Sequence, residues 1–343
     1  MKPSAIKMAL HTIRDANLPC FLWGPPGVGK SQVVDQFTKE ADLEMRDVRA
    51  ILLDPVDLRG LPHINGDNRA HWAVPDFLPR DGKGVLFLDE LNVAAPMVQA
   101  ACYQLVLDRQ LGEYILPEGW TVIAAGNRAS DRAVTHAMPA PLRNRFVHLD
   151  FEVDLDDWCN WALGAGSPKW HRPKAEKSTT GMRPEIVAFL RFRPALLHEF
   201  SDKTRDANAF PTPRTWEYLS RILATNPPLE IEHALTAGTV GPGASAEFIG
   251  FLRVYRDLPD MDLILKKPDK APVPKEPAAL YAVATAVAHR ATAENFQNVV
   301  TYLCRLPEEF SVMAMRDAQT RVPKLASTTP FADWVTKHQH VLM

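Results

Sequence analysis

"FLWGPPGVGKSQVV", residues 21–34, joins a short apolar run to a glycine-proline loop and then to a Lys-Ser pair that opens a helical pattern. Gly24 to Ser31 fits G-x-x-x-x-G-K-[ST]. Cys20 to Trp23 reads as a buried parallel strand, and Gln32 to Phe37 as the first turns of a helix. Glycines at 27 and 29 let successive backbone N–H groups turn inward as an anion-holding nest. The helix N-terminus behind them adds its partial positive charge. Lys30 can reach β- and γ-phosphates, and the Ser31 hydroxyl can serve Mg²⁺. An ordinary glycine turn is the plain alternative. The spacing and its flanks instead make Gly24, Pro25, Pro26, Gly27, Val28, Gly29, Lys30, Ser31 and Gln32 the expected cradle of a nucleoside triphosphate.

A phosphate cradle alone hydrolyses nothing. "GVLFLDELN" (84–92) supplies a second buried run, Val85 to Leu88, with Asp89 at its carboxyl end, where α/β sheets place their ligands. The Asp89 carboxylate can hold Mg²⁺ through water. Glu90, one residue on, is placed to orient and polarise the attacking water. A helix-capping acid pair is the bland reading of the same two residues. "WTVIAAGNR" (120–128) reads as a third strand, and its Asn127 can touch the γ-phosphate or the lytic water; a turn asparagine is the alternative. "NRFVHLDF" (144–151) holds a fourth short strand, Phe146 to Leu149, with Arg143 and Arg145 just before it.

Composition sets the outer bounds. The chain has 343 residues, 46% of them hydrophobic, enough for one large domain or two to three smaller ones. A net charge of −2 supplies no global basic field for nucleic acid. Cys20, Cys102, Cys159 and Cys304 are scattered without a C-x-x-C pair, which reads as a reduced, cytoplasmic chain without disulfides. No signal-peptide core opens the sequence, and no run of 18 apolar residues exists to span a membrane. The histidines show no metal-ligand spacing, and His338 and His340 read as a solvated tail. "KKPDKAPVPKEP" (266–277) reads as an exposed linker.

The order of phosphate loop, "FLDELN", "AAGNR" and "LRNRF" resembles the AAA+ ATPases. "PMVQAACYQLVLDRQLGEYILPEGWTVIAAGN" reads as a helix, a β-hairpin and the strand leading to Asn127, with Met97, Val98, Ala101, Leu105 and Val106 on one helical face. Such a hairpin marks the clade of MoxR-type ATPases and magnesium-chelatase subunits. "DPVDLRGLP" with "WAVPDFLP" (54–79), "FPTPRTWE" (210–217) and "GTVGPGASAEFIGFLRVYRDLPD" (238–260) also look MoxR-like, so the resemblance spans about residues 5 to 262. It implies ATP with Mg²⁺, and roles residue by residue. Arg145 looks like the arginine finger that reaches a neighbouring subunit's γ-phosphate, with Arg143 in reserve. A finger implies a homo-oligomeric ring, usually a hexamer. Arg214 looks like a second nucleotide sensor. Surface salt bridging is the alternative for each arginine. Residues 60–80 would face the ring axis or the adjacent subunit, where His71 and Trp72 either grip a polypeptide or simply pack.

The expected fold is an α/β P-loop NTPase core with a parallel sheet over 1–150. An all-α lid over 151–262, a linker over 263–276 and a small helical C-terminal domain over 277–343 follow. "LDDWCNWAL", "PEIVAFLRF", "PRTWEYLSRIL" and "SAEFIGFLRVY" are the lid's amphipathic helices, with Trp216, Leu219, Ile222 and Leu223 on a buried face. The basic residues Lys169, His171, Arg172, Lys174 and Lys177 lie in a polar loop that is either solvated or set to meet an acidic partner. Three functions stand against one another. The first is a ring ATPase that remodels a partner protein, served by a separate adaptor with a von Willebrand factor A domain. The second is a nucleic-acid-dependent ring motor, disfavoured by the charge. The third is a nucleotide-gated binding platform.

Overall fold

A computed structural model, describing residues 1–64, 66, 70–128, 136–164, 182–200 and 207–339, makes the opening apolar run an interior strand. The chain divides into two compact units, Met1–Asp154 and Leu155–Met343. The first carries α1 (Pro3–Asp15), β1 (Cys20–Trp23), α2 (Lys30–Glu40), β2 (Glu44–Arg49), α3 (Pro55–Arg59), β3 (Leu61–Ile64), β4 (Ala70–Ala73) and β5 (Gly84–Asp89). After these come α4 (Pro96–Asp108), β6 (Gln110–Leu111), β7 (Tyr114–Ile115), β8 (Trp120–Gly126), α5 (Ala140–Arg143) and β9 (Val147–Asp150). Five strands form one parallel sheet in the order β2-β5-β8-β1-β9.

Strand side chains alternate between two faces, and both are covered. Phe21, Leu86, Leu88, Val122 and Ala124 join Val98, Cys102 and Leu105 of α4 on one side. Cys20, Leu22, Val85, Phe87, Ile123 and Ala125 join Ile6 and Leu10 of α1 and Val33, Val34 and Phe37 of α2 on the other. Two-sided burial is why these strands read as continuous apolar runs. The edge strand β2 is different. Its sequence, EMRDVR, is mostly charged, as suits a sheet edge that must not recruit another chain.

Two antiparallel hairpins stand apart from the sheet. β6 pairs β7 directly after α4, turning at Gly112 with φ of 63°. β3 pairs β4, with Pro62 opposite Trp72 and His63 opposite His71. On α4 the expected apolar face is corrected at one position. Met97 is 71% exposed, and Gln99 is buried in its place, donating from Nε2 to the Ala94 carbonyl at 3.0 Å. That amide ties the helix to the carbonyl of the residue before its N-cap, which an apolar side chain does not do.

The second unit is helical among the described residues: α6 (Leu155–Leu163), α7 (Pro184–Phe192), α8 (Pro213–Ala224), α9 (Leu229–Val240), α10 (Pro242–Arg256) and α11 (Met261–Lys266), then α12 (Pro277–His289), α13 (Phe296–Leu303), α14 (Glu308–Arg321) and α15 (Thr329–Lys337). Trp216 and Phe189 meet at 5.6 Å between ring centroids, and Phe248 lies 5.2 Å from Phe189. Trp216, Leu219 and Leu223 are buried, whereas Ile222 is half-buried.

Several expectations are corrected here. The helical unit begins at Leu155 rather than 151, because Phe151 is 2% exposed and belongs to the core around β1. Residues 263–276 are no exposed linker. Ile264 and Ala271 are fully buried with Leu280, Val283 and Tyr302. Side chains also claim the segment's carbonyls: Asn298 Nδ2 donates to Leu265 O at 2.7 Å and the Tyr302 hydroxyl to Pro272 O at 2.8 Å. Residues 277–343, too short a helical segment to stand well alone, pack on the helices before them: α12 lies on α7 and α14, and Arg191 of α7 grips Asp317 of α14. His338 is buried rather than solvated; its ring stacks on Trp334 at 4.6 Å and Nδ1 bonds the Trp334 carbonyl at 2.9 Å. His340 and the basic residues Lys169, His171, Arg172, Lys174 and Lys177 lie outside the described residues. All four cysteines are free, and burial pushes the Cys20, Cys102 and Cys159 thiols up to about 12, which makes them inert. Among the described residues no helix is long and apolar enough to cross a membrane.

Candidate active site

Strand β1 runs between β8 and β9, so its exit is framed on both sides. The Gly24 N–H donates to Gly126 O at 3.2 Å, and the Phe151 N–H donates to Trp23 O at 2.6 Å. A Cβ on Gly24 would sit 3.0 Å from the Phe151 Cβ, too close for any larger residue without a shift. Gly27 (φ 77°) and Gly29 (φ 101°) hold left-handed backbone, which is how the loop doubles back to point its amides inward. Gly29 is the N-cap of α2, and no side chain caps that helix, so the first-turn N–H groups face the loop's mouth. Pro25, Pro26, Val28 and Gln32 complete the same loop and first turn.

Four predicted side chains meet at this carboxyl edge. Lys30 is buried, and its Nζ donates to Gly24 O at 2.6 Å, Pro25 O at 3.0 Å and Asn127 Oδ1 at 3.0 Å. Those three acceptors hold the ammonium inside the loop, where a phosphate would exchange for one of them. The Ser31 hydroxyl donates to Asp89 Oδ2 at 3.0 Å. Hydroxyl and carboxylate are hard oxygen donors, and a pair already in mutual contact fits Mg²⁺, which keeps waters and takes few protein ligands. Glu90 follows Asp89 with its backbone in the left-handed region at φ 57°, its N–H taken by Asp89 Oδ1 at 3.0 Å. Its side chain is half-buried, and among the described residues its carboxylate has no hydrogen-bond partner.

Residues that the motifs do not single out support this edge. Asn92 is 3% exposed; its Nδ2 donates to Asn127 O at 2.6 Å, and its carbonyl accepts from the His136 N–H at 2.8 Å. It therefore positions the residue that holds Lys30. Gly126 makes room for it, since a Cβ there would stand 2.1 Å from Asn92 Oδ1. On β2, burial first, and then the neighbouring Asp89, raise the Asp47 carboxyl above its usual range, with Arg49 opposing. Two carboxylates that repel one another are a further reason to expect a cation. No sequence pattern marks Asp47, because its nearness to Asp89 arises from the pairing of β2 with β5.

The predicted arginines lie elsewhere. Arg143 ends α5 and Arg145 sits in the turn after it. Both are exposed, and among the described residues neither guanidinium has a partner. A side-chain relay ties this turn to β1: Trp23 Nε1–H donates to His148 Nδ1 at 2.8 Å, and His148 Nε2 bonds Arg143 O at 2.7 Å. With Nδ1 accepting from Trp23, Nε2–H is the donor to the Arg143 carbonyl. Arg214 belongs to the second unit, exposed in the first turn of α8, whose N-cap Thr212 exchanges hydrogen bonds with Thr215. His71 and Trp72 lie on β4 with Trp72 36% exposed, and His71 is 4.0 Å from Glu113.

Residues 19–146 match the family profile of the AAA domain, dynein-related subfamily. Similar solved structures include the RuvB Holliday junction branch migration motor of Thermotoga maritima, at 17% identity over 88% of this chain and 85% of that one, with a TM-score of 0.38. A putative ATPase from Cytophaga hutchinsonii is 18% identical over 86% of this chain and 79% of that one, at a TM-score of 0.37. NtrX from Brucella abortus in complex with ADP is 15% identical over 97% of this chain and 68% of that one, also at 0.37.

Proposed function

We propose that this chain, an ATPase built on the AAA domain at residues 19–146, works as one subunit of a MoxR-like ring that spends ATP on remodelling a partner protein. The two exposed arginines carry the ring. Phosphoryl transfer spreads negative charge over three equatorial oxygens. Lys30 is the cation drawn into the site, while Arg143 and Arg145 stand exposed without partners among the described residues. A second copy brings Arg145, or Arg143 in its stead, to its neighbour's γ-phosphate. Exposed apolar residues favour such packing: Leu52 (74%), Val56 (58%), Leu61 (70%), Ile64 (74%) and Ile115 (64%) all belong to the first unit. In this reading Gly24 to Gln32 cradle the phosphates, Ser31 and Asp89 hold Mg²⁺, Glu90 orients the water, Asn127 reports on the γ-phosphate, and Arg214 is the second sensor. Mg²⁺, when bound, neutralises charge on the β- and γ-oxygens.

Remodelling, the adaptor with a von Willebrand factor A domain and the hexameric state rest on the MoxR-like stretches; the β6–β7 hairpin directly after α4 agrees with them. Mixing inactive chains tests the ring. Arg145→Ala lacks the finger and Lys30→Ala lacks the cradle, so together they regain activity only if the guanidinium acts in trans. Fingers are worth roughly 10³ to 10⁵ in rate, so even a minority of complete sites is measurable. An Arg145→Ala chain as active as the parent, or a mixture that stays inactive, removes the assignment. Glu90→Gln with ATP holds the client for capture. Stimulation by DNA that collapses with added salt would favour the nucleic-acid motor instead.

A further inference from the structure

The second unit contains a cavity of about 380 Å³ lined by Arg183, Glu185, Ser220, Tyr255, His289 and Arg290, among others. Two of its groups are already satisfied. Glu185 is 3% exposed and paired with Arg183, Nε to Oε1 at 2.6 Å, and Ser220 Oγ accepts the Arg183 N–H at 2.9 Å. Three are not: among the described residues the Tyr255 hydroxyl, the His289 ring and the Arg290 guanidinium have no hydrogen-bond or ion-pair partner. Tyr255 and His289 are half-buried, where donors without acceptors are costly unless something else supplies the acceptors, while Arg290 is exposed and free to meet a ligand.

The local field says what that something is. Arg321 donates to the Ala288 carbonyl at 3.2 Å and also to the His289 carbonyl, which brings a third guanidinium to this end of α12. Burial, then Arg321, Arg183 and Arg290 in turn, push the His289 ring down to about 4, so it is neutral at physiological pH despite its place at a helix C-terminus. Burial and Glu185 push the Tyr255 phenol up, so it remains an O–H donor. Glu185 is committed to Arg183, and Asp317, which also acts on Arg321, is held by Arg191. Positive charge is thus left in excess around unused donors, the setting in which charge-assisted bonds to oxyanions form. The volume lies within the range of small-molecule sites and exceeds what a bare ion needs.

We propose that this cavity binds a small organic oxyanion, a phosphorylated or carboxylated metabolite, whose charged end is held by Arg290 and the Tyr255 hydroxyl beside His289. Such a ligand would act on the helical unit independently of the phosphate loop. Inorganic phosphate and acetate serve as probes of the two classes, titrated calorimetrically into the full-length Lys30→Ala chain so that the nucleotide site does not contribute. Saturable binding of one probe per chain is expected, and whichever probe saturates names the class. In the same background Arg290→Ala should weaken it tenfold or more, and Tyr255→Phe, which keeps the ring's packing, several-fold. If neither probe saturates by tens of millimolar, or if both variants bind as the parent does, the site is refuted.

Discussion

Glu90 holds its backbone at φ 57°, a conformation that costs a residue with a Cβ on the order of 1 kcal/mol or more. The turn persists because its surroundings overdetermine it. The Glu90 N–H bonds Asp89 Oδ1 at 3.0 Å, its carbonyl accepts from Val93 at 3.0 Å and Ala94 at 3.2 Å, and the Leu91 N–H bonds Ala125 O at 3.0 Å. Strain retained at the carboxylate that would orient the attacking water has a measurable signature. Glu90→Gly should stabilise the chain by about 1 kcal/mol in urea unfolding while abolishing turnover. A Glu90→Gly chain that is less stable than the parent would mean the turn is relaxed. The contact between Gly126 and Asn92 makes a second residue-scale prediction. Gly126→Ala should cost about 1–3 kcal/mol, because its new Cβ meets a rigid buried amide. Adding Asn92→Ala should recover part of that loss, a non-additivity that a double-mutant cycle in chemical denaturation reads directly. At this scale the meeting of Lys30, Ser31, Asp89 and Asn127 was legible in the sequence, because the glycine loop sets the first two at the start of a helix and the apolar runs set the other two at strand ends. Asn92, Asp47 and His148 were not, since each acquires its role from a neighbour set by strand register.

Elements show the same division. β1, β5 and β8 announce themselves because both their faces are buried, whereas β2 carries Glu44, Arg46, Asp47 and Arg49 and keeps only Met45 and Val48 as its apolar signal. The prolines of 268–277 read as a linker because composition does not reveal that Ile264 and Ala271 anchor the segment. Two predictions belong to the helices. His289, at the end of α12, has its folded pKa lowered from 6.5 to about 4. The unfolded chain therefore binds a proton that the folded chain refuses, and the stability from this group is present above pH 6.5 and is lost as pH falls toward 4. The loss should be roughly 2 kcal/mol, less than a fully enclosed ring would give. His289→Gln should flatten that part of the stability–pH curve; an unchanged slope would show that the ring titrates normally. Between α7 and α14, Asp317 is 3% exposed and bidentate to Arg191. Asp317→Ala leaves a buried guanidinium alone and should cost about 3–5 kcal/mol, with Arg191→Met in the same chain restoring much of it. If the single change moves the melting temperature by less than a degree or two, the pair is not what joins residues 277–343 to the helices before them.

At the scale of the whole molecule the question is what one copy lacks. Lys30, Ser31, Asp89, Glu90 and Asn127 all come from the first unit of a single chain, so in the proposed reading one copy holds the whole phosphate cradle. Arg143 and Arg145 are exposed on that unit. Under the ring reading, hydrolysis depends on assembly while binding does not, and the two can be pulled apart by dilution. ATPase rate per chain should climb steeply with protein concentration and level off when sedimentation shows assembly complete. ATP affinity, measured by fluorescence of a bound analogue, should stay nearly flat over the same range. Arg145→Ala should bind ATP like the parent and remain slow at every concentration, a loss of roughly 10³ or more. Salt should act mainly on assembly, since exposed charges are screened within about 8 Å at physiological ionic strength. A rate per chain that is constant down to concentrations where only monomer sediments would leave the exposed guanidinia without a part in the chemistry.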